Sequence, residues 1–237
     1  MAERMDAGRA IEELSSERVL ILDGAMGTML QQQCLSLADF GGASLEGCNE
    51  NLVRTRPDVV LAIHRAYLAA GVDILETNSF GGARIVLAEY GLENDACALN
   101  IAAARLARQA ADEFSTTAKP RFVAGAMGPT TKAISVTGGV TFPQLVDNFY
   151  EQAKALMEGG ADLLLLETCQ DTRNVKAGLV AIGRLREELG CPIPIMISGT
   201  IEATGTMLAG QTAEAFYASV SHADLLSIGL NCATGPE

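Results

Sequence analysis

The amino-acid sequence predicts an α/β fold built from repeated βα units around a parallel sheet. Three observations predict it. First, the chain echoes itself: "AAGVDILETNSF" begins at Ala69, "EGGADLLLLETCQD" at Glu158 and "SHADLLSIGLNC" at Ser221. Each runs from a small residue through an Asp and an apolar stretch into a polar cluster, and each follows a segment of helical periodicity, as a helix, a short loop and a buried strand would. Second, the apolar stretches are continuous rather than alternating, which belongs to a parallel sheet covered on both faces. Third, polar residues stand at the C-terminal end of every predicted strand, where a β/α barrel builds its site. An open doubly wound sheet gathers its site at one switch point instead, and the first βα turn here, "DGAMGTML", is no dinucleotide-binding fingerprint.

The elements follow in order. A helix over 7–15 precedes a first strand over 18–24, "RVLILDG". Pro57 suits the first turn of a helix over 57–70, whose apolar face carries Val60, Ile63, His64 and Tyr67. The second strand ends in Glu76, Thr77 and Asn78. An Ala-rich helix over 94–114 puts Arg105 and Arg108 on its outer face. The third strand, "RFVAGAMG", ends at Gly128. A helix over 142–158 leads to the fourth strand, which ends in Glu167. A helix over 174–189 leads to the fifth, "PIMISGT". A helix over 212–222 leads to the sixth, which delivers Asn231 and Cys232 before a Gly235–Pro236 turn. Segments 34–56 and 128–141 read as irregular loops. No Pro/Ser-rich linker divides the chain, so residues 1–17 form an N-terminal extension and 18–237 one barrel domain. The fold class is therefore the (β/α)8 TIM-barrel type with about six of its eight units.

Composition bounds the partners. A net charge of −12 argues against the Lys- and Arg-driven binding of nucleic acid and disfavours an anionic membrane surface. No apolar run is long enough to span a membrane, and the charged N-terminus lacks a signal-peptide core, which predicts a cytoplasmic protein. The 6 cysteines include no CxxC pair and are expected to be mostly buried thiols rather than a disulfide framework.

If the strands are parallel, their ends bring together Asp23 and Gly24; Glu76, Thr77 and Asn78; Gly125 and the Gly128-Pro129-Thr130 turn; Glu167, Thr168 and Asp171; Ser198 and Thr200; and Asn231 and Cys232. Such a rim suits a small zwitterion. Carboxylates take its ammonium group, and backbone N–H groups of the Gly24-Ala25 turn take its carboxylate. Structural readings compete. Asp23 can cap the next helix, Glu76 and Glu167 can be halves of ion pairs, and Thr77 and Thr168 can be caps. His64 on an apolar face reads as structural, and His222 as a helix-end residue. Cys232 alone reads as a buried thiol, with no spacing that announces zinc.

The stretches "ILDGAMGTMLQ", "GCNENLVRTRPDVVLAIHRAYLAAGVDILETNSFGG", "AGAMGPT", "GGADLLLLETCQDTRNVKAG" and "PIMISGTIEATGTMLAGQTAEAFYASVSHADLLSIGLNCATGP" together resemble the homocysteine S-methyltransferases. Within that family they are most similar to the N-terminal homocysteine-binding module of cobalamin-dependent methionine synthase. The resemblance covers the chain from about Arg18 onward. It implies a barrel in which zinc activates homocysteine, with Cys232 as a zinc ligand. Asp23 and Glu167 then hold the substrate amino acid beside the Gly24 and Ala25 amides. Thr77 and Asn78 line the pocket, and Asn231 orients the metal ligand or the substrate. A free thiol, with a pKa of about 8.5, is mostly protonated near neutral pH, and zinc makes it a thiolate. The implied donor is methylcobalamin on another module, beside a folate-binding module; betaine or S-methylmethionine is the alternative donor.

The sequence departs from the family at one point. It has no Cys-Cys pair to supply the other two zinc ligands. That predicts a barrel truncated after the sixth strand, with exposed sheet edges, and a chain inactive and marginally stable by itself. An inert fragment or pseudoenzyme that binds only an amino acid or a partner is a competing expectation. A Schiff-base aldolase or lyase is disfavoured, because no Lys stands at a strand end.

Overall fold

The computed structural model describes residues 2–233. The Gly235–Pro236 turn lies outside the described residues. The helices are α1 (Ala2–Glu17), α2 (Met26–Gln31), α3 (Leu37–Phe40), α4 (Leu52–Thr55), α5 (Pro57–Ala70), α6 (Arg84–Leu87), α7 (Ala96–Phe114), α8 (Phe142–Gly159), α9 (Thr172–Leu189) and α10 (Ala213–Val220). The strands are β1 (Ile74–Glu76), β2 (Phe122–Met127), β3 (Leu163–Cys169), β4 (Ile195–Gly199) and β5 (Ser227–Leu230). They form one 5-stranded sheet in chain order, and every neighbouring pair is parallel. Each crossover from β2 onward contains one helix, of 18 residues in α8 and α9 and 8 in α10, as parallel neighbours require.

Side chains alternate between the two faces of the sheet. Outward, Leu75, Val123, Leu164, Leu166, Ile195 and Ile197 pack against α7, α8 and α9 through Ala104, Leu145, Leu156, Ala181 and Ile182. Inward, Ile74, Phe122, Ala124, Leu163 and Leu165 pack against Ile11 of α1, flanked by Ala7, Ala10 and Leu14. The N-terminal helix thus covers the inner face near the strand starts. Ile11 is only 2% exposed there, a burial that stabilises by about 2 kcal/mol. Counting on by the strand period of two, Glu76 follows Ile74 and Glu167 follows Leu165 onto the same inner face, beyond the apolar plug.

Three sequence expectations need correction. The first strand is reduced to a single parallel bridge, Leu22 to Ile74. The Ile21 N–H donates to the Asp73 carboxylate (2.9 Å) rather than to a neighbouring carbonyl, which interrupts the ladder. Segment 34–56 is not irregular throughout, because it contains α3 and α4. Arg108 does not lie on an outer face: it is half-buried, paired with Asp162 at 2.7 Å and Asp112 at 2.9 Å. Apolar side chains remain exposed at both ends of the sheet, Val19 and Ile21 beside β1 and Leu230 on β5. Among the described residues no helix is long and apolar enough to cross a membrane.

His64 is fully buried and neither ring nitrogen has a hydrogen-bond partner. Burial lowers its pKa to about 4, so it packs as a neutral side chain. Helices α7 and α8 touch where Gly159 leaves no room for a side chain. A Cβ there would meet Ala104 Cβ at 2.5 Å and the Ile101 carbonyl oxygen at 2.7 Å. Gly159→Ala is therefore expected to destabilise the protein by about 1–3 kcal/mol in urea unfolding. A loss under about 0.5 kcal/mol would show that the two helices part freely.

Candidate functional site

The parallel sheet puts its C-terminal strand ends along one edge. Asp23 sits beside β1, with its N–H on the Ile74 carbonyl (3.0 Å) and its Oδ1 accepting the Glu76 N–H at 2.6 Å. Asp23 is thus not the cap of α2. That position belongs to Ala25, whose φ of 50° is left-handed and which makes no side-chain cap bond. Within the described residues the Gly24 and Ala25 N–H groups have no acceptor.

Glu76 and Glu167 join Asp23 electrostatically. Burial, with Glu76 and Glu167 as neighbouring charges, drives the Asp23 pKa well above the usual carboxylate range. Burial likewise raises Glu76. Burial first, and then the Glu76 charge, raises Glu167, which is 8% exposed. Neither Glu76 nor Glu167 makes a side-chain hydrogen bond or an ion pair among the described residues. The structural ion-pair reading is thereby set aside for both. The Tyr67 phenol on α5 stands near Asp23 and Glu76, and its pKa is raised by burial and then by both charges. Tyr67 reads from sequence as a core residue at helical spacing. Only the fold shows which carboxylates it faces.

The ends of β3, β4 and β5 are tied by Asn231. Its Oδ1 accepts the Thr168 N–H at 3.1 Å and the Ser198 hydroxyl at 2.9 Å, and its Nδ2 donates to Thr168 Oγ1 at 2.9 Å. Thr200 donates to the Asn231 carbonyl at 3.2 Å. Thr168 needs this hold. Its φ is 55°, a strained value for a β-branched residue, and the β3–β4 register shifts between Leu166 and Cys169. Asn231 Nδ2 also reaches Cys232 Sγ at 3.7 Å. The Cys232 thiol is exposed on a left-handed backbone with φ of 59°.

Thr77 and Asn78 follow Glu76 in the chain, and the Thr77 hydroxyl and the Asn78 amide nitrogen are engaged within the protein. Thr77 Oγ1 accepts the Ala126 N–H at 2.9 Å and bonds to Ser79 Oγ at 2.6 Å. Asn78 Nδ2 donates to the Asn49 carbonyl at 2.9 Å. Asp171 caps α9 and also holds the 128–141 loop, accepting the Ser135 N–H at 2.7 Å. Cys169 is a buried free thiol whose pKa is raised by burial and then by the Glu167 charge.

A sequence model described as homocysteine S-methyltransferase matches residues 20–237. The chain belongs to the homocysteine S-methyltransferase family. The fold agrees. The metallated form of the homocysteine methyltransferase MmuM from Escherichia coli superposes with a TM-score of 0.74 at 23% identity, over 93% of this chain and 77% of that one. The oxidized form of MmuM gives a TM-score of 0.71 at 23% identity, over 90% and 73%. Its apo form gives 0.68 at 20% identity, over 92% and 74%.

Membership in the homocysteine S-methyltransferases gives the carboxylate cluster a cost that can be measured. An unfolded glutamate titrates near pH 4.3, whereas folded Glu167 keeps its proton to higher pH. A folded state that binds more protons than the unfolded state loses stability as pH rises. The stability due to this group is therefore full below about pH 4 and is lost as pH rises through the folded value. Glu167→Gln is expected to stabilise the protein at pH 8 by more than about 1 kcal/mol, and to change little at pH 4. Urea unfolding at both pH values checks this, and equal effects at the two would contradict it.

Proposed function

We propose that this chain binds homocysteine and carries out its part of methyl transfer to the homocysteine thiol, which yields methionine. The observation that carries the reading is a cluster of three carboxylates at strand ends with no cation among them in the described residues, in a member of this family. An α-ammonium group supplies the missing positive charge. Asp23 and Glu167 take it, with the substrate carboxylate on the free Gly24 and Ala25 amides. Thr77 and Asn78 form the wall behind. Asn231 fixes the β3 and β5 ends and so sets where the substrate sulfur lies relative to Cys232. In the reaction the sulfur lone pair forms the new S–C bond as the bond between methyl and donor breaks, and the thiol proton goes to solvent.

Cys232 is the proposed zinc donor of this chain. No group of three His, Cys, Asp or Glu side chains among the described residues could hold a metal ion. One exposed thiol does not make a zinc centre, so the described residues do not fit the complete group, and no step is derived through zinc. The remaining donors are proposed to come from outside these residues, together with the units that close the barrel formed by 18–237. The proposed setting is a cytoplasmic, cobalamin-dependent methionine synthase, with methylcobalamin as donor and cobalamin- and folate-binding modules as partners. The motif "SGTIEATGTMLAGQT" supports that branch over donors such as betaine or S-methylmethionine. A second reading, amino-acid binding without turnover, is favoured by the lone thiol at the rim.

Calorimetry with L-homocysteine, and turnover assays with each of the three donors in the presence of zinc, test this. Homocysteine is expected to bind, and Asp23→Asn or Glu167→Gln is expected to weaken binding at least about tenfold. Absence of binding to the wild type would overturn the amino-acid site. Stoichiometric zinc and full turnover by this chain alone would overturn the single-donor reading of Cys232.

A further inference from the structure

Loop 78–82, which follows Thr77 beyond the end of β1, is held at every residue by a different part of the molecule. Asn78 Nδ2 donates to the Asn49 carbonyl at 2.9 Å. The Ser79 carbonyl accepts Gln152 Nε2 of α8 at 2.9 Å, and the Ser79 hydroxyl donates to the Ala126 carbonyl of β2 at 2.7 Å. The Phe80 carbonyl accepts the Gly128 N–H at 3.0 Å. The Gly81 N–H donates to Glu50 Oε1 at 2.7 Å, and the Gly82 carbonyl accepts Asn100 Nδ2 of α7 at 2.7 Å. The Gly82 N–H closes the loop on the Ser79 carbonyl at 2.9 Å, the same oxygen that Gln152 holds. The packing is close: a Cβ at Gly82 would stand 2.5 Å from Asn100 Oδ1 and 2.9 Å from the Ser79 carbonyl oxygen. Ordinary connecting loops lie on the surface and leave such groups to water. Here Asn100 and Gln152, both buried, reach in from the outer helices to take them.

These ties leave one acceptor over. The Asn49 carbonyl can only accept, so it fixes Asn78 with Nδ2 toward it and Oδ1 turned away. Asn78 is 5% exposed, yet its Oδ1 has no partner among the described residues and is not closed off from solvent. Asn78 lies two residues beyond Glu76, whose N–H is on Asp23 Oδ1 at 2.6 Å. On its other side, the Asn49 amide lies against the first turn of α2, where a Cβ at Gly27 would be 4.0 Å from Asn49 Nδ2. That turn follows directly on Gly24 and Ala25.

We propose that Gln152 is a positioning residue for the amino-acid site: by holding the Ser79 carbonyl it fixes Asn78, whose free Oδ1 accepts one N–H of the substrate ammonium group. The role rests on the amino-acid reading of the site and adds a residue of the helical layer to it. An ammonium group carries three N–H donors. Asp23 and Glu167 accept two of them. Asn78 Oδ1 accepts the third without adding negative charge to a cluster that already holds three carboxylates. Gln152 touches no substrate and acts only through the loop.

A double-mutant cycle read by calorimetry with L-homocysteine tests this. Gln152→Met removes the donor at nearly unchanged volume. It is expected to weaken binding about fivefold, and Asn78→Ala about tenfold. The double variant is expected to bind within about twofold of Asn78→Ala, because Gln152 acts only through Asn78. No loss in Gln152→Met, or losses that multiply to about fiftyfold in the double variant, would overturn the proposal. Amide hydrogen exchange of the ligand-free wild type needs no variant to fold. The Gly82 and Gly128 N–H groups are expected to exchange as slowly as those of β2, and exchange at the rate of an unstructured chain would overturn the held loop. If homocysteine does not bind the wild type at all, the amino-acid reading fails, and exchange at Gly82 still decides the positioning role. It is expected to be at least about tenfold faster in Gln152→Met than in the wild type, and equal rates would overturn that role.

Discussion

Every strand of the sheet runs in the same direction, and the rest of the molecule depends on that constraint. Parallel pairing forces each connection to return across the outside, which is where α7, α8, α9 and α10 lie. It also forces each strand to end at the same edge. Residues far apart in sequence, Asp23, Glu76, Glu167 and Asn231, become neighbours for no other reason. The inner face then divides by height. Apolar side chains near the strand starts are covered by α1, and carboxylates stand near the strand ends.

That division sets stability against function. The outer face and the apolar plug are packed as cores usually are. At the strand ends the protein buries acids without counter-charges and holds Thr168 in a left-handed conformation. Each feature costs on the order of 1–3 kcal/mol. Asn231 offsets part of that cost, because one amide side chain satisfies groups on two other strands. The arrangement is stable as a binding device, since the ligand's own positive charge completes it.

Much of this was legible in the sequence. The helix over 57–70 matches α5 residue for residue, and the other long helices agree within a few residues, because their apolar periodicity is strong. Strands β1 to β5 were visible as apolar runs ending in polar clusters. The first strand was not, because its failure depends on the Asp73 carboxylate taking a backbone N–H from a segment 52 residues away in sequence. Asp23 and Glu167 were marked by their position after apolar runs. Glu76 was also marked, but the influence of its charge on Glu167, two strands away, shows only in the fold. The engagement of the Thr77 and Asn78 side chains likewise follows from loops brought close only by folding.

The central claim is that this edge of the sheet is a receptor for an amino acid, held at its charged end by carboxylates from different strands. A crystal structure of the protein with L-homocysteine tests it most directly. The account predicts the ammonium nitrogen within about 3 Å of both the Asp23 and Glu167 carboxylates, the ligand carboxylate at the Gly24 and Ala25 amides, and the sulfur on the Cys232 side. An amino acid bound elsewhere, or bound here with its carboxylate turned toward Glu167, would contradict it.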